Sequence, residues 1–378
     1  MLIAADIDQD IRLNTIEEAI EDIKNGKILI VVDDEDRENE GDFICAAEKI
    51  SPELINFMAK FGRGLICTPI LEKRAKELDL DLMVKSNTAM HNTAFTVSID
   101  LIGQGCTTGI SAYDRATGIK AIINPDTKAE DFARPGHIFP LIAKNGGVLR
   151  RTGHTEAAVD LARLAGCYPA GVLVEILNED GSMARLPQLL DISKQLGIKI
   201  ISIKDLVAYR MRTERLVTKE LETVIESPYG KFNLTAFRQI TTGDVHLAFT
   251  MGTLSDGIPA LVRVHSSTET GDILGILFDG YADQLSRSLQ MIAKEKKGVL
   301  LYMRHGEKND AILEKMKDLS VSSKTHHNES EEQRDFGTGA QILRELGVAK
   351  IKLITNHSKK RIGLIGYGLE IVENVAFD

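Results

Sequence analysis

Cysteine is scarce in this chain: Cys45, Cys67, Cys106 and Cys167 are the only four, and none follows Cys167. They form no CxxC pair, which argues against both a disulfide framework and a zinc knuckle. Positive charge is also short. Lys and Arg total 46 against 55 Asp and Glu, giving a formal charge of -9, and no basic patch marks a nucleic-acid partner. The start, MLIAADIDQDIR, carries acids where a signal peptide needs positive charge, and no apolar stretch approaches membrane-spanning length. A cytoplasmic protein with no membrane and no nucleic-acid partner is expected. What is present is ordinary in bulk: 378 residues, 43% hydrophobic, mean hydropathy -0.08, enough for two domains with a core in each.

The least ordinary segment is Asp33 to Asp42, DDEDRENEGD, with seven carboxylates and one arginine in ten residues. It follows directly on the apolar run Ile28-Leu29-Ile30-Val31-Val32, which reads as a central strand ending at the sheet's rim. A solvated acidic loop is the plain alternative. Seven acids so close repel one another, however, a cost that a bound divalent cation offsets. Gly41, the only glycine in the run, is expected to let the backbone turn tightly beside such an ion.

Strand and helix signals alternate, which indicates an α/β (α+β) fold of mixed sheets. Asn14 or Thr15 caps a helix with Ile16, Ile20 and Ile23 on one face, and Gly26 closes it. Gly171 to Leu177 reads as a strand, and Gly197 ends a helix before the strand Ile198 to Ile203. Residues 1–207 form the first expected domain. The charged stretch AYRMRTERLVTKELETVIE, 208–226, reads as a connecting helix, and the turn Ser227-Pro228-Tyr229-Gly230 opens a second domain over 227–378. There is no internal repeat, and Ser320 to Glu332 is a polar, low-complexity loop.

Two further clusters carry potential chemistry. GGVLRRTGHTE, from Gly146 to Glu156, crowds glycines, two arginines, two hydroxyls and a histidine, a composition suited to phosphate on backbone N–H groups and an arginine fork, with His154 offering a ring nitrogen to a metal. A glycine turn beside a core histidine is the bland reading. In Arg134-Pro135-Gly136-His137-Ile138-Phe139-Pro140 the two prolines fix the backbone around His137, either to aim a catalyst or to pack a corner.

Taken together, DDEDRENEGD, CTTGISAYDR from Cys106, RPGHIFP, GGVLRRTGHTEA and the glutamate of GVLVEIL resemble 3,4-dihydroxy-2-butanone 4-phosphate synthase over residues 1 to about 208. That resemblance implies conversion of ribulose 5-phosphate to 3,4-dihydroxy-2-butanone 4-phosphate and formate, in riboflavin biosynthesis, with magnesium or manganese, two ions per site. It implies Glu38 and His154 as metal ligands. It places Arg37, Glu38, Asp42, Arg151, Thr152, Gly153, His154, Thr155 and Glu175 against the substrate, and requires His137 and Glu175 for catalysis. It also implies a homodimer with sites near its interface. The chemistry fits: an enediolate must be stabilised, which a cation bridging adjacent oxygens can do, while Asp42, Glu40 and Glu175 are the candidates for proton transfer. The sequence does not apportion that role. Cys67, in GLICTP, reads as a buried structural thiol.

From about Pro228 the chain resembles GTP cyclohydrolase II, in RVHS at Arg263, GVLLYMR at Gly298, RDFGTGAQILRELGV at Arg334 and ITNHSKK at Ile354. That family's three zinc cysteines fall here on Thr268, Asp279 and Tyr281, poor substitutes for thiolates on zinc. Its QEGR run is His305-Gly306-Glu307-Lys308, while Arg334 keeps the place of its nucleophilic arginine and Glu332 that of its aspartate. The resulting expectation is a synthase with a zinc-free second domain that supports or regulates the first. A bifunctional synthase and cyclohydrolase, or a non-catalytic regulatory protein, are the alternatives.

Overall fold

The computed structural model describes residues 13–35, 37–91, 93–267, 281–304, 338–355 and 369–377. The chain divides into two compact units, Met1–Tyr209 and Arg210–Asp378.

In the first unit a seven-stranded mixed sheet runs in the order β4-β5-β3-β6-β2-β1-β7. Its strands are β1 (Leu29–Val32), β2 (Gly41–Ala46), β3 (Cys67–Leu71), β4 (Ile99–Leu101), β5 (Phe132–Ala143), β6 (Gly171–Glu175) and β7 (Ile200–Ser202). β1 is not central but one strand in from the edge, between β2 and β7. It is nonetheless buried along its length because helices cover both faces. Alternate residues divide between the two sides, as the pleat requires. Ile30, Val32, Phe43 and Val174 meet α2 (Pro52–Phe61), α4 (Ala112–Ile123) and α6 (Leu186–Leu196) on one side. Val31, Ile44, Cys67 and Leu173 meet α1 (Ile16–Lys24), α5 (His154–Leu164) and α7 (Ile203–Thr213) on the other.

Local signals explain several boundaries. Thr15 caps α1 in a reciprocal box with Glu18, and Gly197, at φ +63, terminates α6 as a left-handed C-cap.

The second unit is another seven-stranded mixed sheet, ordered β14-β13-β11-β12-β10-β9-β8. It comprises β8 (Val217–Ser227), β9 (Gly230–Gln239), β10 (Val245–Met251), β11 (Ala260–Ser267), β12 (Gly298–Arg304), β13 (Lys350–Ile354) and β14 (Glu370–Val375), with the helix Tyr281–Glu295 packed on β11 and β12. Two expectations are corrected. The connecting helix over 208–226 ends at Thr213, and Val217–Ser227 is a strand paired along its length with β9. Val217, Thr218, Thr223, Val224 and Ile225 are β-branched, and the charges mark an exposed edge strand rather than a helix face. Consequently Pro228-Tyr229 is the two-residue turn of the β8/β9 hairpin, inside the second unit and not at its start.

Candidate active site

The acid run begins at the end of β1, as its strand signal put it: it makes the loop joining the antiparallel pair β1 and β2, and its last two residues, Gly41 and Asp42, open β2. Asp33 organises it. Its carboxylate accepts the backbone N–H groups of Glu38 at 3.1 Å and Glu40 at 2.9 Å, and the Arg37 guanidinium at 2.8 Å. Arg37 also donates to Glu38 Oε2 at 2.5 Å. The tight turn expected of Gly41 is made instead by Asn39, at φ +54. Gly41 is needed for packing: a Cβ there would come within 2.5 Å of Leu189 on α6.

Three of the candidate side chains converge on the α5 face of the sheet. Asp42 on β2 is the cross-strand neighbour of Glu175 on β6, and the first residue of α5, His154, lies against both the acid loop and β2. His154 Nε2 donates to the Val31 carbonyl at 3.1 Å, which leaves Nδ1 facing Glu38 Oε2 at 3.7 Å and Asp42 Oδ1 at 4.0 Å. Burial alone would lower the His154 pKa, but the Asp42, Glu38 and Asp33 carboxylates carry it up to about 9. Asp42 moves the other way for a carboxylate: burial, reinforced by Glu175, Glu38 and Glu40, raises it to about 7 against the pull of His154. Its Oδ1 is buried without a hydrogen bond. Glu38 falls to about 2, because His154 and Arg37 outweigh its burial. Glu40 is raised, by burial and then by Glu38.

A cation fits this donor set. Ligand atoms of Asp33, Glu38 and His154 lie within 4.8 Å of one another. Two carboxylates with one imidazole suit a hard or borderline divalent ion, and Asp42 Oδ1, without a hydrogen bond and 4.0 Å from His154 Nδ1, adds a further acceptor beside them.

Glu175 Oε2 accepts the Leu65 N–H at 2.9 Å, a contact that needs Gly64, where a Cβ would lie 2.5 Å from that oxygen. Arg151, Thr152, Gly153 and Thr155 surround the α5 N-terminus, whose cap, Gly153, has no side chain to satisfy the first N–H groups. Arg151 is braced by Glu156 at 2.7 Å and reaches the His91 carbonyl at 3.1 Å. Cys67 is buried, with its pKa raised by burial and then by Glu175 and Asp42.

His137 stands apart. It lies on β5, two strands from β6, a separation of about 10 Å at ~4.8 Å per strand. Its Nδ1 pairs with Asp100 Oδ2 at 2.7 Å, and its backbone N–H donates to Asp100 Oδ1 at 2.8 Å. No local signal links Asp100 to a histidine 37 positions away, so the pair escapes a reading along the chain. Asp33 was visible only as one acid among seven.

In the second unit, RVHS lies on β11, and Arg263 donates to the Ile354 carbonyl at 3.1 Å, joining it to the strand that leads into ITNHSKK. Thr268, Asp279, His305 to Lys308, the 320–332 loop, Glu332 and Arg334 lie outside the described residues, as does the Tyr281 side chain.

The sequence profile of 3,4-dihydroxy-2-butanone 4-phosphate synthase matches residues 17–209. This chain belongs to that family. The profile of GTP cyclohydrolase II matches residues 218–376, so a synthase domain is fused to a cyclohydrolase II domain. Riboflavin biosynthesis protein RibBA of Cytophaga hutchinsonii is 56% identical over 98% of this chain and 93% of its own. The RibBA of Parabacteroides distasonis is 53% identical over 98% and 93%. Among solved structures, RibBX, a two-domain 3,4-dihydroxy-2-butanone 4-phosphate synthase from A. baumannii, aligns over 97% of this chain and 100% of its own, with 40% identity and a TM-score of 0.77. A synthase in complex with two magnesium ions aligns over 53% of this chain and 98% of its own, at 41% identity and a TM-score of 0.51. Among the described residues, no helix is long and apolar enough to cross a membrane.

Proposed function

We propose that the chain converts D-ribulose 5-phosphate to 3,4-dihydroxy-2-butanone 4-phosphate and formate, for riboflavin biosynthesis, with Mg²⁺ or Mn²⁺ held by Glu38 and His154. The observation that carries this reading is His154: Nε2 is committed to Val31, and Nδ1 is turned toward Glu38 in a nest of carboxylates. When bound, the cation supplies Lewis-acid stabilisation of the charge left by proton removal beside the substrate carbonyl. The chain's own residues do the rest. The uncapped α5 N-terminus, with Arg151, Thr152, Gly153 and Thr155, binds and orients the phosphate. Arg37 lies beside Glu38 at the mouth of the acid loop, where it contacts substrate oxygens. Asp42, raised to about 7, is poised to move a proton near neutral pH, with Glu175 held beside it by Leu65 and Glu40 as the third acid.

His137 and Asp100 serve this chemistry through a second copy. Leu65, Leu82, Met83, Val84, Met90, Ile102, Ile110 and Tyr113 are all exposed in the first unit, and Ile102 directly follows the β4 strand that carries Asp100. A homodimer that buries some of these side chains, Ile102 among them, would bring His137 to a site near the interface.

The second unit, on this reading, holds no zinc and does not hydrolyse GTP. Support comes from the absence of cysteine after Cys167 and from the two-domain neighbour whose description names the synthase activity alone. The competing reading, a bifunctional enzyme, is favoured by the profile match over residues 218–376.

Formate release from ribulose 5-phosphate, measured with and without Mg²⁺, tests the assignment. Activity is expected only with the cation, and full turnover by a Glu38→Ala, His154→Ala double variant would sink it.

A further inference from the structure

The acid loop is gripped from two sides by ionised groups of opposite sign. On the inside, the Asp33 carboxylate takes the N–H groups of Glu38 and Glu40. On the outside, Arg185 Nη1 donates to the carbonyl of Glu38, at 2.9 Å, and to that of Asn39. Charge-assisted hydrogen bonds are the stronger kind, and here they take both the donors and the acceptors of the short peptide run that carries Glu38. Asn39, in the middle, has a left-handed φ of +54. Asparagine tolerates that conformation better than most non-glycine residues, and the two sets of hydrogen bonds hold the turn on either side of it.

Arg185 is delivered by rigid backbone. Immediately after Glu175, Ile176 donates its N–H to the Gly41 carbonyl at 2.9 Å, and Ala184 returns to donate to the Ile176 carbonyl at 3.0 Å. Arg185 then opens α6, its own N–H donating to Gln188 Oε1 at 3.1 Å. Leu189, one position further, packs on Gly41. The backbone hydrogen bonds from β2 through Ile176 to Ala184 therefore place Arg185 beside the loop.

We propose that Arg185 is a positioning residue for the divalent-cation site: by pinning the Glu38 and Asn39 carbonyls it fixes the direction in which the Glu38 carboxylate meets His154. This rests on the reading of Glu38 and His154 as cation ligands. Groups that orient ligands without touching the metal typically contribute roughly 10–100-fold to affinity or activity. Both bonds come from one nitrogen, Nη1, and a lysine keeps the charge and a donor nitrogen but on a shorter, more flexible stem that places it differently.

The test uses the full chain and Mn²⁺ as the probe, with binding followed by the electron paramagnetic resonance of the free ion in the absence of substrate. R185A is expected to weaken Mn²⁺ binding by about 10–100-fold, with turnover restored at saturating Mn²⁺. R185K is expected to fall between R185A and the unaltered chain, and it carries the test if R185A does not fold. An unchanged Mn²⁺ affinity in a folded variant, or turnover that stays lost when the site is saturated, overturns the proposal. If the unaltered chain binds no Mn²⁺, the cation reading itself fails. If it binds Mn²⁺ and the variants bind as tightly, only the role of Arg185 fails.

Discussion

Of the two ring nitrogens of His154, Nε2 is spent on Val31, so any cation must take Nδ1, and in the metal-free chain that nitrogen is protonated up to a pH of about 9. Binding then displaces a proton. Mg²⁺ affinity should tighten as pH rises from 6 to 8.5, by roughly tenfold per unit where one proton is released. Calorimetric titration across that range checks this, and a flat affinity would contradict it. Asp42 gives a prediction of opposite character for activity and stability. Because its carboxyl is raised from 3.8 to about 7, ionising it costs the folded state free energy. That cost begins above the unfolded value, grows between about pH 4 and 7, and is full above 7. Asp42→Asn removes it. The variant should melt at a higher temperature at pH 8, with the gain disappearing toward pH 4, while formate release falls by about 10²–10⁴-fold through loss of the proton-transfer group. A variant that melts lower at pH 8, or that keeps full turnover, would contradict this account of Asp42.

At the scale of elements, what could be read along the chain was whatever is decided by neighbours in sequence. The α1 cap is one such case, since Thr15 and Glu18 are three positions apart and satisfy each other. Thr15→Ala should cost about 1 kcal/mol of stability and leave turnover unchanged, as chemical denaturation and a formate assay would show. β8 was misread because its charges suit either a helix or an exposed edge strand. Only its pairing with β9 decides, and that is a tertiary fact. Gly41 and Gly64 were equally opaque. Both are glycine because another residue approaches closely, Leu189 in one case and Glu175 in the other. Gly64→Ala should therefore act on the site: its methyl group would displace Glu175 and cost about 1–3 kcal/mol, with turnover lost well beyond what the stability change explains. Normal turnover in that variant would mean that Glu175 tolerates displacement.

At the scale of the whole molecule, the parts of the proposed site are dispersed along the first unit, at Arg37 to Asp42, His137, Arg151 to Thr155 and Glu175. Family motifs made each visible, but the groups that hold them were not. Asp100 beside His137, and Arg185 against the acid loop, come from segments 37 and about 147 positions away and carry no motif of their own. The second unit poses the converse problem. Among the described residues its frame is packed, with Phe232, Leu261, Ile292, Leu300 and Ile354 in one buried cluster. On the reading proposed above it lacks cyclohydrolase catalysis, which needs an ion that brings a bound water down from a pKa of about 15.7 toward neutrality, and threonine, aspartate and tyrosine are poorer zinc ligands than three thiolates. The purified chain should contain no stoichiometric zinc and consume no GTP, while a chain ending at Tyr209 should lose stability, assembly or synthase rate relative to the full length. Elemental analysis with a GTP turnover assay decides the first point, and stoichiometric zinc with GTP consumption would establish the bifunctional reading. Melting, light scattering and formate release on the shortened chain decide the second. If all three match the full-length protein, the retained domain has no supporting role in the synthase, and selection for some other task must explain why its core is still packed.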